Sequence, residues 1–477
     1  MSQTFDVLII GAGPAGIFAA LELSKGDAGN SLSCSRPNGL RIAILDKGPD
    51  IDKRRCPARE PGGRCINCRP CAIMTGWGGA GAFSDGKLTL SPAVGGHLPD
   101  ILGERAAIQL IDEVDGVYRH YGAPDKVYGA PGQSPGELND QIEQLEKRAA
   151  KASLRFVSVP IRHMGTDRCV DIMRRMRDDL LARGVTVRSG APVRRILTEN
   201  GRVVGVETEQ GEQIEADAVI VAPGREGAGW LKGVAGELGL SQARNPVDLG
   251  VRVELPAVVL EPITDLVYES KFIYHSKQFD DRVRTFCMCP HGEVSTEFAG
   301  DVMTVNGHSF TDRKTANTNF AILVSKTFTE PFDDPIAYGK SIARLANLLG
   351  GGVIVQRLGD LEAGRRSTVE RLSRSVVVPT LAGATPGDLN LVLPYRYVSN
   401  ILEMLHAMDE VAPGVAGRHT LLYGVEVKFY SNRLKLSTAM QTEVENLYAC
   451  GDGAGVTRGL VQASASGLIA ARAILER

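Results

Sequence analysis

The chain has 477 residues, which is enough for two or three domains with a large apolar core. Hydrophobic residues make up 43% and charged residues 23%, ordinary values for a globular protein, and the formal net charge of -2 gives no general attraction to nucleic acid or to an anionic membrane. No apolar run is long enough to span a bilayer, and a predicted strand begins at once, without room for a secretory signal. We therefore expect a cytoplasmic protein with no nucleic-acid or membrane partner.

The first predicted elements are a strand, a glycine-rich turn and a helix. An apolar run covers residues 5–10, and helical sequence extends over residues 14–25. In a dinucleotide-binding fingerprint, Gly11 permits the tight turn, Gly13 lets backbone N–H groups approach a pyrophosphate, and Gly16 lets helix and strand pack closely. The helix N-terminus then faces the phosphates with its partial positive charge. The nucleotide-binding residues predicted in this turn are Gly11, Gly13, Pro14, Ala15 and Gly16.

A second predicted strand, over residues 41–45, ends at Asp46. An acidic residue at this point hydrogen-bonds the adenosine ribose in dinucleotide-binding folds, so Asp46 and the adjacent Lys47 join the predicted site. Asp46 lies further from the glycines than the usual spacing of about 20 residues. A polar stretch over residues 26–39 explains the excess as an inserted surface loop.

The middle of the first half is predicted to be scaffold. Helices are expected over residues 100–121 and 135–152, and a third helix is expected to have its N-cap at Thr166-Asp167 and to stop at Gly184. A strand over residues 185–188 follows. Residues 193–197, 202–209 and 213–215 then form a predicted small antiparallel sheet, with Val193 as a further candidate cofactor-binding residue, before a buried strand over residues 216–222.

A second glycine segment lies near the C-terminus. An apolar strand is predicted over residues 447–450, followed by Gly451 and Asp452 and by a small-residue helix over residues 460–476. An aspartate between a strand and a helix N-terminus is suited to hold a ribityl or pyrophosphate group, although it could also be an ordinary N-cap. Two such segments at opposite ends of the chain point to two halves of one FAD site.

A cysteine-rich loop lies between the predicted strand that ends at Asp46 and the helix predicted over residues 100–121. The spacing C-x2-C-x2-C is that by which ferredoxins hold three irons of a [4Fe-4S] cluster, and a further cysteine could supply the fourth thiolate. Structural zinc is the second choice, and unligated or redox-sensing thiols are the third. Nearby arginines, among them Arg54, would offset the thiolate charge. The candidate metal ligands are Cys56, Cys65, Cys68 and Cys71.

Four segments make the chain resemble the largely uncharacterised FAD-dependent dehydrogenases of the two-dinucleotide-binding flavoprotein superfamily. They are residues 76–88, 286–292, 422–426 and 451–452. The resemblance implies that Gly224 lies near the cofactor and that Lys87 stabilises the reduced flavin near N1 or O2. His291 departs from the family pattern, which has a second glycine there. The residues that the resemblance places along the flavin are Gly79, Gly81, Ser84, Asp85 and Lys87.

Three further residues are catalytic candidates beside Lys87. Cys287 and Cys289 alternate along a predicted strand and so project to one face, where both thiols could meet the flavin or the substrate. They could equally be small buried core residues. Arg458 precedes the final helix, close to the predicted flavin-binding turn, where an ordinary helix-end contact is the alternative.

We predict an α/β fold in which a Rossmann-like FAD-binding domain carries an inserted α+β substrate domain. The FAD-binding domain is expected to span residues 1–245, with the cysteine-rich loop at 54–75 and a helical insert at 97–165. The inserted substrate domain is expected over residues 246–436, and residues 437–477 close the FAD-binding domain.

The predicted activity is that of an FAD-dependent oxidoreductase that transfers a hydride through flavin N5 to or from an unidentified small organic substrate. Because no second strand-GxGxxG-helix unit is present, electrons are expected from transiently bound NAD(P)H or from a ferredoxin-type partner. Two alternatives stay open. One is a non-redox flavoprotein isomerase or hydratase, and the other is a flavin-based electron carrier or redox sensor.

Overall fold

The computed structural model describes most of the chain, and the elements given below are those of the described part. The described residues are 3–25, 39–57, 66, 68–84, 86–129, 136–243, 245–299, 301–309, 314–326, 328, 334–430 and 433–477. The loop predicted over residues 26–39 therefore lies almost wholly outside them. Within these ranges, no helix combines the length and the apolar character needed to cross a membrane.

The strands, numbered in chain order, are β1 (Gln3–Ile10), β2 (Ile42–Asp46), β3 (Lys87–Thr89), β4 (Val127–Tyr128), β5 (Arg155–Val157), β6 (Ile161–His163), β7 (Thr186–Ser189), β8 (Val193–Glu199), β9 (Arg202–Thr208), β10 (Gln213–Val221), β11 (Gln242–Ala243), β12 (Val247–Pro256), β13 (Lys271–His275), β14 (Arg282–Cys289), β15 (Glu293–Ala299), β16 (Val302–His308), β17 (Asn317–Lys326), β18 (Ile354–Arg357), β19 (Thr385–Pro386), β20 (Leu421–Lys428), β21 (Arg433–Leu434) and β22 (Leu447–Ala449). The α-helices are α1 (Pro14–Leu23), α2 (Leu98–Leu102), α3 (Glu104–His120), α4 (Gly136–Lys151), α5 (Thr166–Ala182), α6 (Ala228–Glu237), α7 (Ala257–Thr264), α8 (Pro335–Gly350), α9 (Leu358–Glu362), α10 (Val369–Ser373), α11 (Tyr395–Val411) and α12 (Leu460–Leu475). Short 3-10 helices cover Ile51–Lys53, Gly79–Phe83, Arg225–Gly227, Leu389–Leu391 and Asp452–Ala454.

The first of two compact units contains a parallel sheet. This unit comprises residues 1–126, 162–245 and 431–477. Its seven-stranded sheet has the order β7-β2-β1-β10-β9-β8; the first four strands are parallel, β9 and β8 continue it in antiparallel pairs, and β22 pairs in parallel with the end of β10. Val7, Leu8 and Ile9 of β1 are at most 1% exposed, so the strand is buried on both faces, as expected of a strand covered by helices on either side. This is the α/β Rossmann-like arrangement predicted from the sequence.

Helices α1 and α12 pack tightly against each other in the first unit. A Cβ atom added to Gly467 of α12 would overlap the carbonyl oxygen of Ala15 in α1. The small residues of α12 therefore let the two helix backbones approach closely. Most of α1 is buried, because both the sheet and α12 cover it.

The second unit contains a large, mainly antiparallel sheet and comprises residues 127–161 and 246–430. The strand order is β19-β18-β20-β12-β17-β14-β13-β5, and β15 and β16 form a separate hairpin. Along β12, alternate residues such as Val251 and Val253 belong to the apolar core, which also includes Ile401 and Met404 of α11. The opposite face carries Arg252, and this helix-and-sheet unit has the α+β character that was predicted.

Several predicted elements differ from the structure in detail. The predicted strands over residues 213–215 and 216–222 are one continuous strand, β10, which pairs with β9 at its start and with β22 at its end. The helix predicted over residues 100–121 is broken at Gly103. Thr166-Asp167 was wrong as the N-cap of α5, because the cap is Gly165 and the helix already includes both residues. The compact units also differ from the predicted domains, since residues 127–161 group with the second unit.

Candidate cofactor site

The N-terminus of α1 is the centre of the candidate site. The N-cap is Gly13, which has no side chain, so in the described part of the chain the helix start lacks a side-chain cap hydrogen bond. The first N–H groups of a helix have no partner within the helix, and together with the helix dipole they form an anion-binding position. Gly11 turns the chain into this position with a φ of 104°, and a Cβ there would overlap the carbonyl oxygen of Ala222 at the end of β10.

The segment that starts at Gly79 lies directly against this helix N-terminus. A Cβ atom added to Gly79 would lie 3.0 Å from Gly13 Cα, and one added to Gly81 would lie 3.3 Å from Pro14 Cγ. Gly78 N–H donates a hydrogen bond of 2.7 Å to the carbonyl of Ala12. Two glycine segments that are more than 60 residues apart in the sequence thus lie side by side.

Arg54 fixes the conformation of the Gly79 segment. Its guanidinium donates hydrogen bonds to the carbonyl oxygens of Ala72 (2.9 Å), Ile73 (2.6 Å), Trp77 (2.6 Å) and Gly79 (2.8 Å), and the residue is only 4% exposed. Arg54 was predicted to offset thiolate charge in the cysteine-rich loop, and that role stays a prediction. In the structure, its planar guanidinium holds backbone carbonyls in place.

Asp46, at the end of β2, holds the glycine turn from the other side. Its Oδ2 accepts a hydrogen bond of 2.8 Å from Ala12 N–H, and its Oδ1 accepts one of 2.7 Å from Gly48 N–H. Burial raises the pKa of the carboxyl, although these N–H donors and Arg54 oppose the shift. Each carboxylate oxygen has a second lone pair, so Asp46 can also accept hydrogen bonds from ribose hydroxyls. The adjacent Lys47 donates a long hydrogen bond of 3.4 Å to the carbonyl of Glu226.

The C-terminal glycine segment meets the same helix. A Cβ atom on Gly451 would lie 3.3 Å from Ala15 Cβ, and one on Gly453 would lie 2.6 Å from the carbonyl oxygen of Gly224. Asp452 Oδ2 accepts hydrogen bonds of 3.1 and 3.0 Å from Arg225. The N-cap of this turn is Gly451, so the alternative interpretation of Asp452 as an N-cap was wrong. We call Gly13, Gly79, Gly81 and Gly451, which surround the start of α1, the glycine cradle.

The other predicted cofactor residues lie elsewhere in the first unit or outside the described residues. Ser84 Oγ donates to the carbonyl of Gly81 at 2.8 Å and accepts from Gly86 N–H at 3.2 Å, so its hydroxyl shapes the end of the Gly79 segment. Asp85 is not among the described residues. Lys87 begins β3 and is half-buried, and Val193 begins β8 and is buried. Arg458 is half-buried, and its backbone N–H donates to the carbonyl of Gly95.

Two buried polar atoms near Arg458 test whether the site fits a bound nucleotide. Among the described residues, Thr457 Oγ1 and Gln462 Oε1 have no hydrogen-bond partner. The amide of Gln462 is oriented by the hydrogen bond of 2.8 Å that its Nε2 donates to the carbonyl of Val94. Since buried polar groups are nearly always satisfied, a hydroxyl and an acceptor are available here for a polar ligand. The chemistry of these atoms, of the N-terminus of α1 and of the carboxylate of Asp46 fits the hydroxyl and phosphate groups of FAD.

The cysteine-rich loop is only partly described. Cys56, Cys68 and Cys71 are half-buried, while Cys65 lies outside the described residues. In the part of the loop that the structure covers, and in the other described ranges, no group of three or more His, Cys, Asp or Glu side chains has an arrangement that could hold a metal. The metal-site prediction thus stays a prediction.

Cys287 and Cys289 lie in the second unit, at the end of β14. Their sulfur atoms are 4.0 Å apart, and Arg252 contacts Cys289. Arg252 and Glu426, which were not predicted from the sequence, are fully buried and 3.4 Å apart. The sequence contains a signal for Arg252, because Arg252 and Glu254 alternate with Val251 and Val253 and therefore share the face of the strand opposite the apolar one.

Comparison with known proteins gives two family matches and several similar chains. A model described as the C-terminal domain-like region of FAD-dependent proteins matches residues 247–429, and a model described as FAD dependent oxidoreductase matches residues 107–318. An uncharacterized protein of Clostridium beijerinckii is 26% identical over 494 residues, which cover 98% of this chain and 80% of that protein.

Two solved structures are similar at lower identity. L-proline dehydrogenase from P. horikoshii has a TM-score of 0.41 and 12% identity, with 99% of this chain and 94% of that chain covered. Glycine oxidase from Geobacillus kaustophilus has a TM-score of 0.38 and 13% identity, with 100% of this chain and 96% of that chain covered.

Proposed function

The chain belongs to the FAD-dependent oxidoreductases, and we propose that it binds FAD at the glycine cradle and uses it to oxidise or reduce a small organic substrate. When bound, FAD supplies hydride transfer at flavin N5. The observation that carries the proposal is the position of Gly79 against Gly13, the N-cap of α1, which makes no side-chain cap hydrogen bond among the described residues. Three segments distant in sequence meet there, and the N-terminus of α1 offers its first N–H groups to an anion.

The residues of the first unit have separate roles in this proposal. The N-terminus of α1 binds the pyrophosphate, and Asp46 binds the adenosine ribose. Arg54 keeps the carbonyls of Trp77 and Gly79 fixed, so that the segment holds its shape when no ligand stabilises it. Lys87 supplies positive charge toward the reduced flavin, as the resemblance implied.

The binding site is tested by changing Gly13 to Ala. Among the described residues, and apart from its chain neighbours Ala12 and Pro14, the added methyl group would lie within 4 Å of Gly79 Cα alone, at 3.9 Å, so the described protein accommodates it. The methyl group would instead fill the space that the pyrophosphate needs, and we expect FAD affinity to fall by about tenfold or more, which corresponds to about 1.4 kcal/mol. FAD titration by fluorescence measures the change.

The matched control is Gly116→Ala in α3, where an added Cβ meets nothing within 4 Å. This variant should bind FAD as the unaltered protein does. If Gly13→Ala and Gly116→Ala bind FAD equally well, the cofactor does not lie at the glycine cradle.

The reaction type is tested on the anaerobic, FAD-loaded protein. Bleaching of the flavin absorbance by a small organic donor, by NADH or by NADPH supports the oxidoreductase. Conversion of a substrate to its isomer or hydrate without net electron transfer supports a non-redox flavoprotein instead. Reduction only by a ferredoxin-type protein, without a small substrate, supports an electron carrier.

An iron–sulfur cluster or zinc in the cysteine-rich loop is a separate proposal, and it rests on the C-x2-C-x2-C spacing. Purified protein should then contain iron with sulfide, or zinc, and Cys68→Ser should lose it. Unchanged metal content in Cys68→Ser would remove the proposal without affecting the FAD site.

A further inference from the structure

The two thiols at the end of β14 meet at an irregularity of the sheet. The pairing of β14 with β17 shifts register between Phe286 and Cys289. Cys287, which lies within the shift, has a φ of 46°, a left-handed conformation that is uncommon for a residue other than glycine. Because of this bulge, the sulfur atoms of Cys287 and Cys289 approach to 4.0 Å.

A buried guanidinium is directed at the two cysteines. Arg252 donates a hydrogen bond of 2.7 Å to the carbonyl of Cys287, and the same nitrogen lies 3.2 Å from Cys289 Sγ. A third bond, of 2.8 Å, goes to Asn319 Oδ1 and fixes the orientation of the guanidinium plane. A positive charge beside a thiol favours the thiolate, which is the reactive form of cysteine.

The charge of Arg252 is permanent. Burial works against it, yet Glu426 and the two cysteines together hold the pKa of Arg252 above its ordinary value. The carboxylate of Glu426 lies 3.4 Å from Arg252 and is shared with Lys428, at 3.2 Å. The guanidinium is thus closer to Cys289 Sγ than to its carboxylate partner.

The two thiols differ in access. Cys287 is half-buried, whereas Cys289 is fully buried. A reagent from solution therefore meets Cys287 first, and Cys289 lies behind it. The two sulfur atoms need only a short movement to reach the disulfide bond length of about 2.05 Å. This arrangement separates an entry thiol from a resolving thiol.

We propose that Cys287 and Cys289 form a thiol–disulfide exchange centre that takes low-molecular-weight disulfides. The Cys287 sulfur bonds to one sulfur of the external disulfide, whose S–S bond breaks and releases the first small thiol. The Cys289 thiolate, stabilised by Arg252, then attacks Cys287 Sγ and releases the second small thiol. The two cysteines lose two electrons and two protons, and the external disulfide gains both as two thiols, so no other oxidant is needed.

The test uses full-length, FAD-loaded protein and oxidised glutathione as the probe. After an acid quench and alkylation of the remaining thiols, peptide mass analysis locates each disulfide. We expect an intramolecular Cys287–Cys289 bond in the unaltered protein and a persistent glutathione adduct on Cys287 in Cys289→Ser. Cys287→Ser should show neither product. Cys169→Ser, which removes a buried cysteine of the first unit, is the control and should behave as the unaltered protein does.

Two results would overturn the proposal. One is a glutathione adduct on Cys287 that persists in the unaltered protein, and the other is an unmodified cysteine pair while Cys56, Cys68 or Cys71 react. The readout is a sulfur–sulfur bond, so failure here is distinguishable from failure of the proposed oxidoreductase function.

The role of Arg252 is tested separately on the second step. Arg252→Lys keeps a positive charge and should retain the step, whereas Arg252→Gln should slow it by about tenfold or more. Circular dichroism first establishes that each variant folds. Equal rates in the unaltered protein and in folded Arg252→Gln would exclude Arg252 as the positioning residue.

Discussion

The two units build their polar centres in opposite ways. In the first unit, the glycine cradle consists of backbone: Gly13, Gly79 and Gly451 leave space around the start of α1, and Arg54 serves to hold carbonyls. In the second unit, the polar face of β12 consists of side chains, with Arg252 and Glu254 fully buried. A backbone site needs residues without side chains, whereas a side-chain site needs every charge to find its partner.

This difference predicts different consequences of mutation. Around the start of α1, an added methyl group either overlaps protein atoms, which lowers the stability of the fold, or fills space left for a ligand, which lowers ligand affinity. In the Arg252 network, removal of a side chain leaves its buried polar neighbours without a partner, which lowers the stability of the fold. Both tryptophans, Trp77 and Trp230, lie in the first unit, so tryptophan fluorescence reports on that unit, whereas far-ultraviolet circular dichroism reports on both.

The largest expected effect is that of Arg252→Met. This change leaves Asn319 Oδ1 and the carbonyl of Cys287 without their buried donor and removes one of the two cations that contact Glu426. Breaking a buried ion pair costs about 3–5 kcal/mol of unfolding free energy. Urea unfolding followed by circular dichroism measures the loss.

The control is Arg366→Met, because Arg366 is exposed and a surface substitution of this kind changes stability by about 0.5 kcal/mol or less. A loss in Arg252→Met no greater than that of the control would show that the buried network adds nothing to stability. If the fluorescence transition shifts as far as the circular dichroism transition, the two units unfold as one.

The next effect is expected in the first unit, for Gly16→Ala. An added Cβ would overlap the carbonyl oxygen of Gly11, and neither backbone group can move away without disturbing the strand-to-helix turn. Overpacking of this kind costs about 3 kcal/mol. The fluorescence midpoint in urea should fall accordingly.

Gly13→Ala sharpens the contrast, since its methyl group has room within the protein. Its unfolding midpoint should stay within about 0.5 kcal/mol of the unaltered protein when no FAD is added. Equal losses of unfolding free energy in Gly16→Ala and Gly13→Ala would contradict the distinction between filled space at Gly16 and open space at Gly13.

A smaller effect follows from the buried carboxylates, which respond to acid in opposite directions in the two units. Burial raises the pKa of Asp46 in the first unit. In the second unit, burial also works against the charge of Asp360, but hydrogen bonds from Arg357, Ser367 and Arg365 outweigh it and lower the pKa. A lowered carboxyl pKa stabilises the fold above its unfolded value of about 3.9, and that contribution is lost as the pH falls below it.

Asp360→Asn should therefore lose about 2 kcal/mol of unfolding free energy at pH 7, in keeping with hydrogen bonds to a charged group. The difference from the unaltered protein should shrink as the pH falls below about 4. Urea unfolding at a series of pH values measures it, and a difference that is constant with pH would contradict the assignment. For Asp46→Asn, the difference in unfolding free energy from the unaltered protein should instead grow as the pH falls.

The smallest effect concerns the left-handed backbone conformation of His291 in the second unit. His291 has a φ of 50°, in the left-handed region, at the position where the resembling family has glycine. Its Nδ1 lies 3.0 Å from the carbonyl oxygen of Thr315. His291→Gly and His291→Ala both lose this contact, but only the glycine variant relieves the backbone strain.

We therefore expect His291→Gly to be more stable than His291→Ala by about 1 kcal/mol. Thermal or urea unfolding of the two variants side by side measures the difference. A more stable alanine variant would show that the backbone does not need this conformation.

The roles of some residues in the two units could be predicted from the sequence, and those of others could not. Gly11, Gly13 and Gly16 have a fixed spacing along the chain because one turn and one helix start use all three. Arg54 has no such spacing, since it binds carbonyls that lie 18 to 25 residues away, and its contact with the Gly79 segment was not predicted. Glu426 lies 174 residues from Arg252, and no local pattern joins them.

The amino-acid sequence by itself determined the strand, glycine turn and helix at the start of the chain, with Gly11, Gly13 and Gly16, because strand periodicity and turn chemistry act between neighbouring residues. Only the tertiary structure decided that Arg54 holds the Gly79 segment, that β10 is one strand with different partners at its two ends, and that Arg252 is directed at Cys287 and Cys289. These contacts join residues far apart in the chain, and their energy depends on burial and on the orientation of both partners, which exist only once the strands have paired.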